Sequence, residues 1–139
     1  IFQGVLSLKN EPHRYELKNK EGLIIIDDAY NSNETGFKYA LKSLKYFDKK
    51  KIIITPGIIE LDKENKDINY NLGREIIEYT DEVYLIGKNS LSIKKYFIDH
   101  NYSNYKYFNT YKEGMNEILK LNKEAVILIE NDLLTYYLD

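Results

Sequence analysis

The sequence predicts an α/β fold, a mostly parallel sheet with helices on both faces and one antiparallel edge strand. Three observations carry that expectation. Residues 24–33 read Ile-Ile-Ile-Asp-Asp-Ala-Tyr-Asn-Ser-Asn, an apolar run that ends in two acids and a polar turn. A strand buried on both faces has this composition, whereas a strand with one wet face alternates. Comparable apolar runs recur at 52–55, 83–86 and 125–129, and the stretches between them space apolar residues three and four apart. Strands that alternate with helices in this way imply right-handed crossovers and a sheet covered on both sides, the Rossmann-like arrangement.

The elements follow in order. After a short lead, His-Arg-Tyr-Glu-Leu-Lys at 13–18 alternates and reads as the edge strand, closed by the turn Asn19-Lys20-Glu21-Gly22. The first buried strand covers 23–28. Helical spacing then runs through Phe37, Ala40, Leu41, Leu44 and Phe47, with Asn33 or Thr35 placed to cap it. The series continues with a strand at 52–55, a helix over 68–80, a strand at 83–86 and a helix over 90–99. A strand at 105–108, a helix over 111–121 and a strand at 125–129 complete it. The longest irregular stretch is 56–67, and loops of that length in a compact domain are often functional.

Length and charge narrow the possibilities. The 139 residues suit one domain with a substantial core. Twenty basic and 22 acidic residues are interleaved, so no basic stripe exists to track a phosphate backbone, and nucleic acid is not an expected partner. The lack of cysteine removes disulfides, thiolate metal sites and a cysteine nucleophile, and fits a cytoplasmic location. No apolar run reaches the roughly 18 residues of a membrane helix. The chain opens on Ile1-Phe2-Gln3 without an initiator methionine, as a piece of a longer protein would.

In open α/β sheets ligands sit just beyond the carboxyl ends of the strands. Asp27 and Asp28 stand at such an end. Successive strand residues point to opposite faces, so one of the two reaches the crevice while the other binds backbone or a helix start. A carboxylate there can accept both hydroxyls of a ribose; the plainer alternative is that both acids cap the following turn. Arg14 offers an always-charged planar fork suited to a nucleotide phosphate, or is a solvated surface residue. Tyr30, Asn31 and Asn33 form the next turn. The asparagines there either satisfy local backbone groups, or Asn31 bonds substrate or nucleotide while the Tyr30 ring covers one side.

Thr55-Pro56-Gly57 ends another strand, with Glu60 in the loop beyond it. The glycine would allow close backbone approach to a ligand and the proline fixes the exit, unless both serve only a turn. Gly87-Lys88 and Glu130-Asn131-Asp132 end later strands, so polar groups recur along this edge. His13 and His100 are the only histidines, and no histidine-rich metal site is expected. Neither glycine-rich phosphate loop is present and no serine–histidine triad can be placed, so no catalytic residue is assigned.

Four segments share a further likeness. Asp27-Asp28-Ala29-Tyr30-Asn31-Ser32-Asn33 matches an Asp-Asp-Ala-Tyr-Asn-Ala-Asn-Pro motif, and His13-Arg14 matches a His-Arg or Gly-Arg opening. Ile54-Thr55-Pro56-Gly57-Ile58-Ile59-Glu60-Leu61 looks like Thr-Pro-Gly-Met-x-Glu-Leu, and Glu130-Asn131-Asp132-Leu133 like Glu-Asn-Asp-Leu-Pro. Over nearly its whole length the chain resembles the C-terminal domain of a Mur ligase, nearest the branch that adds D-alanyl-D-alanine. Departures are Glu34 and Leu134 in place of prolines and Asp62 where glycine usually follows Glu-Leu. The Asp-Asn-Pro-Arg signature of the diaminopimelate-adding branch is absent.

The resemblance implies a three-domain enzyme of peptidoglycan precursor synthesis. An N-terminal domain would bind UDP-MurNAc-tripeptide, a central domain would hold most of the ATP and Mg2+, and this domain would close over both. By that likeness Asp28 holds the ribose, Arg14 contacts the phosphate side, and Tyr30 and Asn31 border the nucleotide. Asn31, Asn33 and Glu60 would face substrate, and the isolated domain is expected to be inactive. Another Mur-type amino-acid ligase and a stand-alone nucleotide- or substrate-binding module are the competing readings. A signalling receiver is disfavoured, since the strands at 52–55 and 83–86 lack a terminal phospho-accepting aspartate.

Overall fold

The computed structural model describes residues 15–29, 33–59 and 62–130. The apolar runs become the middle of a six-stranded sheet. In chain order the elements are β1 Glu16–Lys20, β2 Leu23–Asp28, α1 Glu34–Ser43, β3 Lys51–Thr55, α2 Lys63–Tyr79 and β4 Glu82–Ile86. They continue with α3 Leu91–Asp99, β5 Tyr105–Phe108, α4 Tyr111–Leu121 and β6 Ala125–Glu130, with single 3-10 turns at Leu44–Tyr46 and Lys88–Ser90. The strand order is β1-β2-β6-β3-β4-β5. Among the described strands only the β1–β2 pair is antiparallel; the other four pairings are parallel.

The last described strand therefore enters the middle of the sheet, between β2 and β3, and every residue of β6 is buried. Its alternate side chains serve two cores. Ile26, Ile53, Val83, Val126 and Leu128 pack under α1, α2 and α3 with Phe37, Leu41, Leu72, Ile76, Ile93 and Phe97. Ile52, Ile54, Tyr84, Ile127 and Ile129 pack under α4 with Met115 and Ile118. Two buried faces explain why these strands are continuous in isoleucine instead of alternating. Each such side chain contributes roughly 1.5–3 kcal/mol by leaving water. Helices α2 and α3 approach closely at Gly73, where an added Cβ would lie 2.7 Å from the Tyr96 ring.

Three elements differ from the sequence expectation by more than one residue. Helix α2 begins at Lys63, not at 68, because the Asp62 carboxylate accepts the Asn65 N–H at 3.0 Å and caps it. Its opening turn, Lys-Glu-Asn-Lys-Asp, has no apolar residue, so apolar spacing is silent there. The irregular stretch is shorter accordingly. The first helix leaves α geometry after Ser43 and tightens into the 3-10 turn, so Phe47 lies beyond it. Strand β1 starts at Glu16 and runs to Lys20, which confines its turn to Glu21 and Gly22, both at positive φ. His13 lies outside the described residues.

Candidate functional site

Strands β2, β6 and β3 end side by side, and their last residues build the candidate site. Asp28 is the register partner of Glu130, and Ile54 of Ile129. Thr55 follows Ile54 and donates its hydroxyl to the Glu130 carbonyl at 2.8 Å. Register neighbours on adjacent strands share a face, so the Asp28, Glu130 and Thr55 side chains stand on the face covered by α1 to α3.

The two neighbouring acids separate as expected. Asp27 turns to the α4 side, where its carboxylate takes the Lys18 ammonium at 3.2 Å and the Ala29 N–H at 3.3 Å. Asp28 turns the other way and is 3% exposed. Its Oδ1 accepts the backbone N–H of Tyr15 at 2.9 Å. Tyr15 has φ +49°, a left-handed backbone that costs a non-glycine residue about 1 kcal/mol. Its ring is buried and its hydroxyl donates to Ser43 Oγ at 2.6 Å, which in turn donates to the Ala40 carbonyl at 2.7 Å. Burial pushes the Tyr15 phenol up to about 12, with the Ser43 bond opposing the shift and the neighbouring Tyr39 and Asp28 adding to it. Asp28 thus fixes the residue that follows Arg14 in the chain.

Glu130 is fully buried, and neither of its carboxyl oxygens has a hydrogen-bond partner among the described residues. Burial, then the neighbouring charge of Asp28, holds its pKa well above the usual carboxylate range. The two carboxyl groups approach each other without meeting full hydrogen-bond geometry. A neutral acid beside a carboxylate is the arrangement that such crowding favours.

The exit of β3 is held from α2. The Gly57 N–H donates to Thr55 Oγ1 at 3.0 Å, with Gly57 at φ +78°. Asn69, fully buried on α2, accepts the Ile58 N–H at 2.8 Å and donates to the Ile58 carbonyl at 2.7 Å, and it reaches the Asn89 carbonyl at 3.4 Å. One amide therefore ties the loops after β3 and β4 together. Sequence reasoning passed over Asn69. The available signal was a polar amide in the apolar period Asn69, Leu72, Ile76 of its helix.

Of the residues singled out from sequence, Asp28, Thr55, Gly57 and Glu130 are brought together. Asn33 caps α1, its Oδ1 accepting the Gly36 N–H at 2.7 Å. Arg14, Tyr30, Asn31 and Glu60 lie outside the described residues. His100 is remote, stacked on Tyr96 with ring centroids 3.8 Å apart. Among the described residues no group of three or more His, Cys, Asp or Glu could hold a metal ion, and no helix is long and apolar enough to cross a membrane.

Comparison with known proteins agrees with this architecture. A family model described as Mur ligase, glutamate ligase domain, matches residues 13–130. MurF from Acinetobacter baumannii superposes with a TM-score of 0.79 at 21% identity, over 96% of this chain and 30% of that one. The MurF ligase from Thermotoga maritima in complex with ADP gives 0.73 at 25% identity, over 90% and 28%. A bifunctional folylpolyglutamate synthase/dihydrofolate synthase from Yersinia pestis, complexed with AMPPNP and Mn ion, gives 0.66 at 14% identity, over 96% and 32%. The chain spans about a third of the length of these proteins.

Proposed function

The chain belongs to the Mur ligase family, as its glutamate ligase domain, and from that premise we propose that it is the C-terminal domain of an ATP-dependent amide ligase. The bond it helps form joins D-alanyl-D-alanine to UDP-MurNAc-tripeptide during peptidoglycan precursor synthesis. The observation that carries this reading is the segment 27–33 at the carboxyl end of β2, with Asp28 on the side of the sheet edge shared with β6 and β3. Likeness of the fold to a MurF ligase solved in complex with ADP supports an adenine nucleotide as a ligand of the whole enzyme.

The chemistry is an acyl transfer. Phosphoryl transfer from ATP to the tripeptide carboxylate gives an acyl phosphate and ADP. The dipeptide amine attacks its carbonyl, and the tetrahedral intermediate collapses by expelling phosphate as the amine loses its proton. The described residues offer no fitting group of ligands for Mg2+, so no step is assigned to the metal here. This domain binds, orients and excludes water. Asp28 accepts the ribose hydroxyls, Arg14 meets the phosphate side, Tyr30 and Asn31 border the nucleotide, and Asn31, Asn33 and Glu60 face the substrate. One Asp28 oxygen accepts the Tyr15 N–H, which ties this carboxylate to the segment that carries Arg14. Closure over the acyl phosphate would keep water from hydrolysing it.

The test is phosphate release by the full-length protein with ATP and UDP-MurNAc-tripeptide, with and without D-alanyl-D-alanine. Release that requires the dipeptide is the expected result. Release that requires a different amino acid instead would move the acceptor and keep the domain within another Mur-type ligase. Glu34, standing where the motif has proline, is the residue that favours testing that second reading.

A further inference from the structure

We propose that Glu130 is a positioning residue for Asp28, a buried neutral acid that donates a hydrogen bond to the Asp28 carboxylate and so aims it toward the nucleotide. The inference rests on the nucleotide reading of Asp28 given above. Its geometric basis is independent of that reading. Asp28 and Glu130 are register partners on parallel strands, so both carboxyl groups leave the same face of the sheet. Glu130 is fully buried and lacks a hydrogen-bond or ion-pair partner among the described residues. Its backbone cannot turn the side chain away, because Thr55 holds its carbonyl at 2.8 Å and β6 is clamped between two parallel neighbours.

An ionised carboxylate in that position would be buried beside a second anion and without a partner among the described residues, a desolvation cost that protonation removes. The proton then has an acceptor at Asp28. Among the described residues, the groups around Glu130 are acidic, hydroxyl or apolar. Asp28 comes from β2 and Tyr15 from the segment entering β1, while β3 presents the Thr55 hydroxyl. Helix α1, packed on the same face, presents Phe37, Ala40, Leu41 and Ser43. Tyr15 is itself held neutral by burial, its phenol pushed up to about 12.

The sign of the pH effect follows. Glu130 holds its proton more tightly folded than unfolded, so its contribution to stability is complete below the ordinary glutamate value of about 4.3. The contribution is lost as pH rises from there through the raised folded value.

The experiment compares wild type, Glu130→Gln, Glu130→Leu and Asp28→Asn in the full-length protein. The readouts are KM for MgATP, kcat, and the thermal midpoint between about pH 5 and about pH 9. Glu130→Leu keeps the volume and removes the donor, and should raise KM about tenfold with a smaller change in kcat. Glu130→Gln retains a neutral donor, should recover most of that loss, and should flatten the fall of the midpoint with rising pH. The proposal is overturned if Glu130→Gln raises KM as far as Glu130→Leu does, since the charged form would then be the working one. It is also overturned if Glu130→Gln leaves the pH dependence of the midpoint unchanged. If Asp28→Asn leaves KM unaltered while Glu130→Gln flattens the pH profile, the acid pair stands and the placement of nucleotide at Asp28 fails.

Discussion

Asp27 and Asp28 are identical neighbours that the strand sends to opposite faces, and their partners differ in kind. Asp27 is buried, pairs with Lys18, whose side chain is half exposed, and also accepts the Ala29 N–H. Asp28 pins the strained Tyr15 backbone and lies beside Glu130. Asp27→Asn is therefore expected to lower the thermal midpoint and leave KM for MgATP at its wild-type value. Asp28→Asn should raise that KM by about tenfold, the worth of a hydrogen bond to a charged group. Steady-state kinetics of the two variants in the full-length protein, beside their melting curves, tests the contrast. Equal KM values would remove Asp28 from the nucleotide site. The divergence of the two acids was legible in the sequence, because it follows from the period of a strand. The Asp28–Glu130 pair was not legible, because residues 102 positions apart meet only through a strand order that periodicity does not contain.

Among the elements, the buried strands were readable because an isoleucine run between turn signals has few other uses, and the helices because their apolar spacing is regular. Helix α2 shows where that method stops. Its first turn is polar and is started by the Asp62 cap, and its buried face includes Asn69, which bonds a loop instead of packing. Asp62→Ala should cost about 1 kcal/mol, the ordinary worth of such a cap, with no effect beyond the helix start. Asn69→Leu is a harsher change. It fills the volume yet strands the N–H and carbonyl of Ile58, at about 1–3 kcal/mol for each buried group left unpaired. Amide hydrogen exchange at Ile58 should accelerate more in Asn69→Leu than global unfolding explains. Uniform acceleration across the sheet would show that Asn69 serves the core and not the loop.

For the whole molecule, the order β1-β2-β6-β3-β4-β5 places the last described strand at the centre of the sheet. Before residues 125–130 pair, β2 and β3 have no connection to each other within the sheet, and the two cores lack Val126, Leu128, Ile127 and Ile129. Closing that centre requires contacts between residues about 100 positions apart, such as Leu23 with Ala125, and such long loops are closed late and slowly. The sheet should therefore form as one cooperative unit once β6 docks. In urea denaturation, Ile127→Ala at the centre is expected to cost about 2–5 kcal/mol, the usual range for deleting a fully buried branched side chain. Tyr105→Ala on the edge strand β5, where the residue is only partly buried, should cost less. A chain ended at Glu124 keeps the four described α-helices and five of the six described strands yet should lose the cooperative transition altogether, because those strands form two separate pieces, β1-β2 and β3-β4-β5. Persistence of a single sharp transition in that truncation would mean that β2 and β3 can pair directly, and that the position of β6 is not what holds Asp28 and Thr55 at one edge.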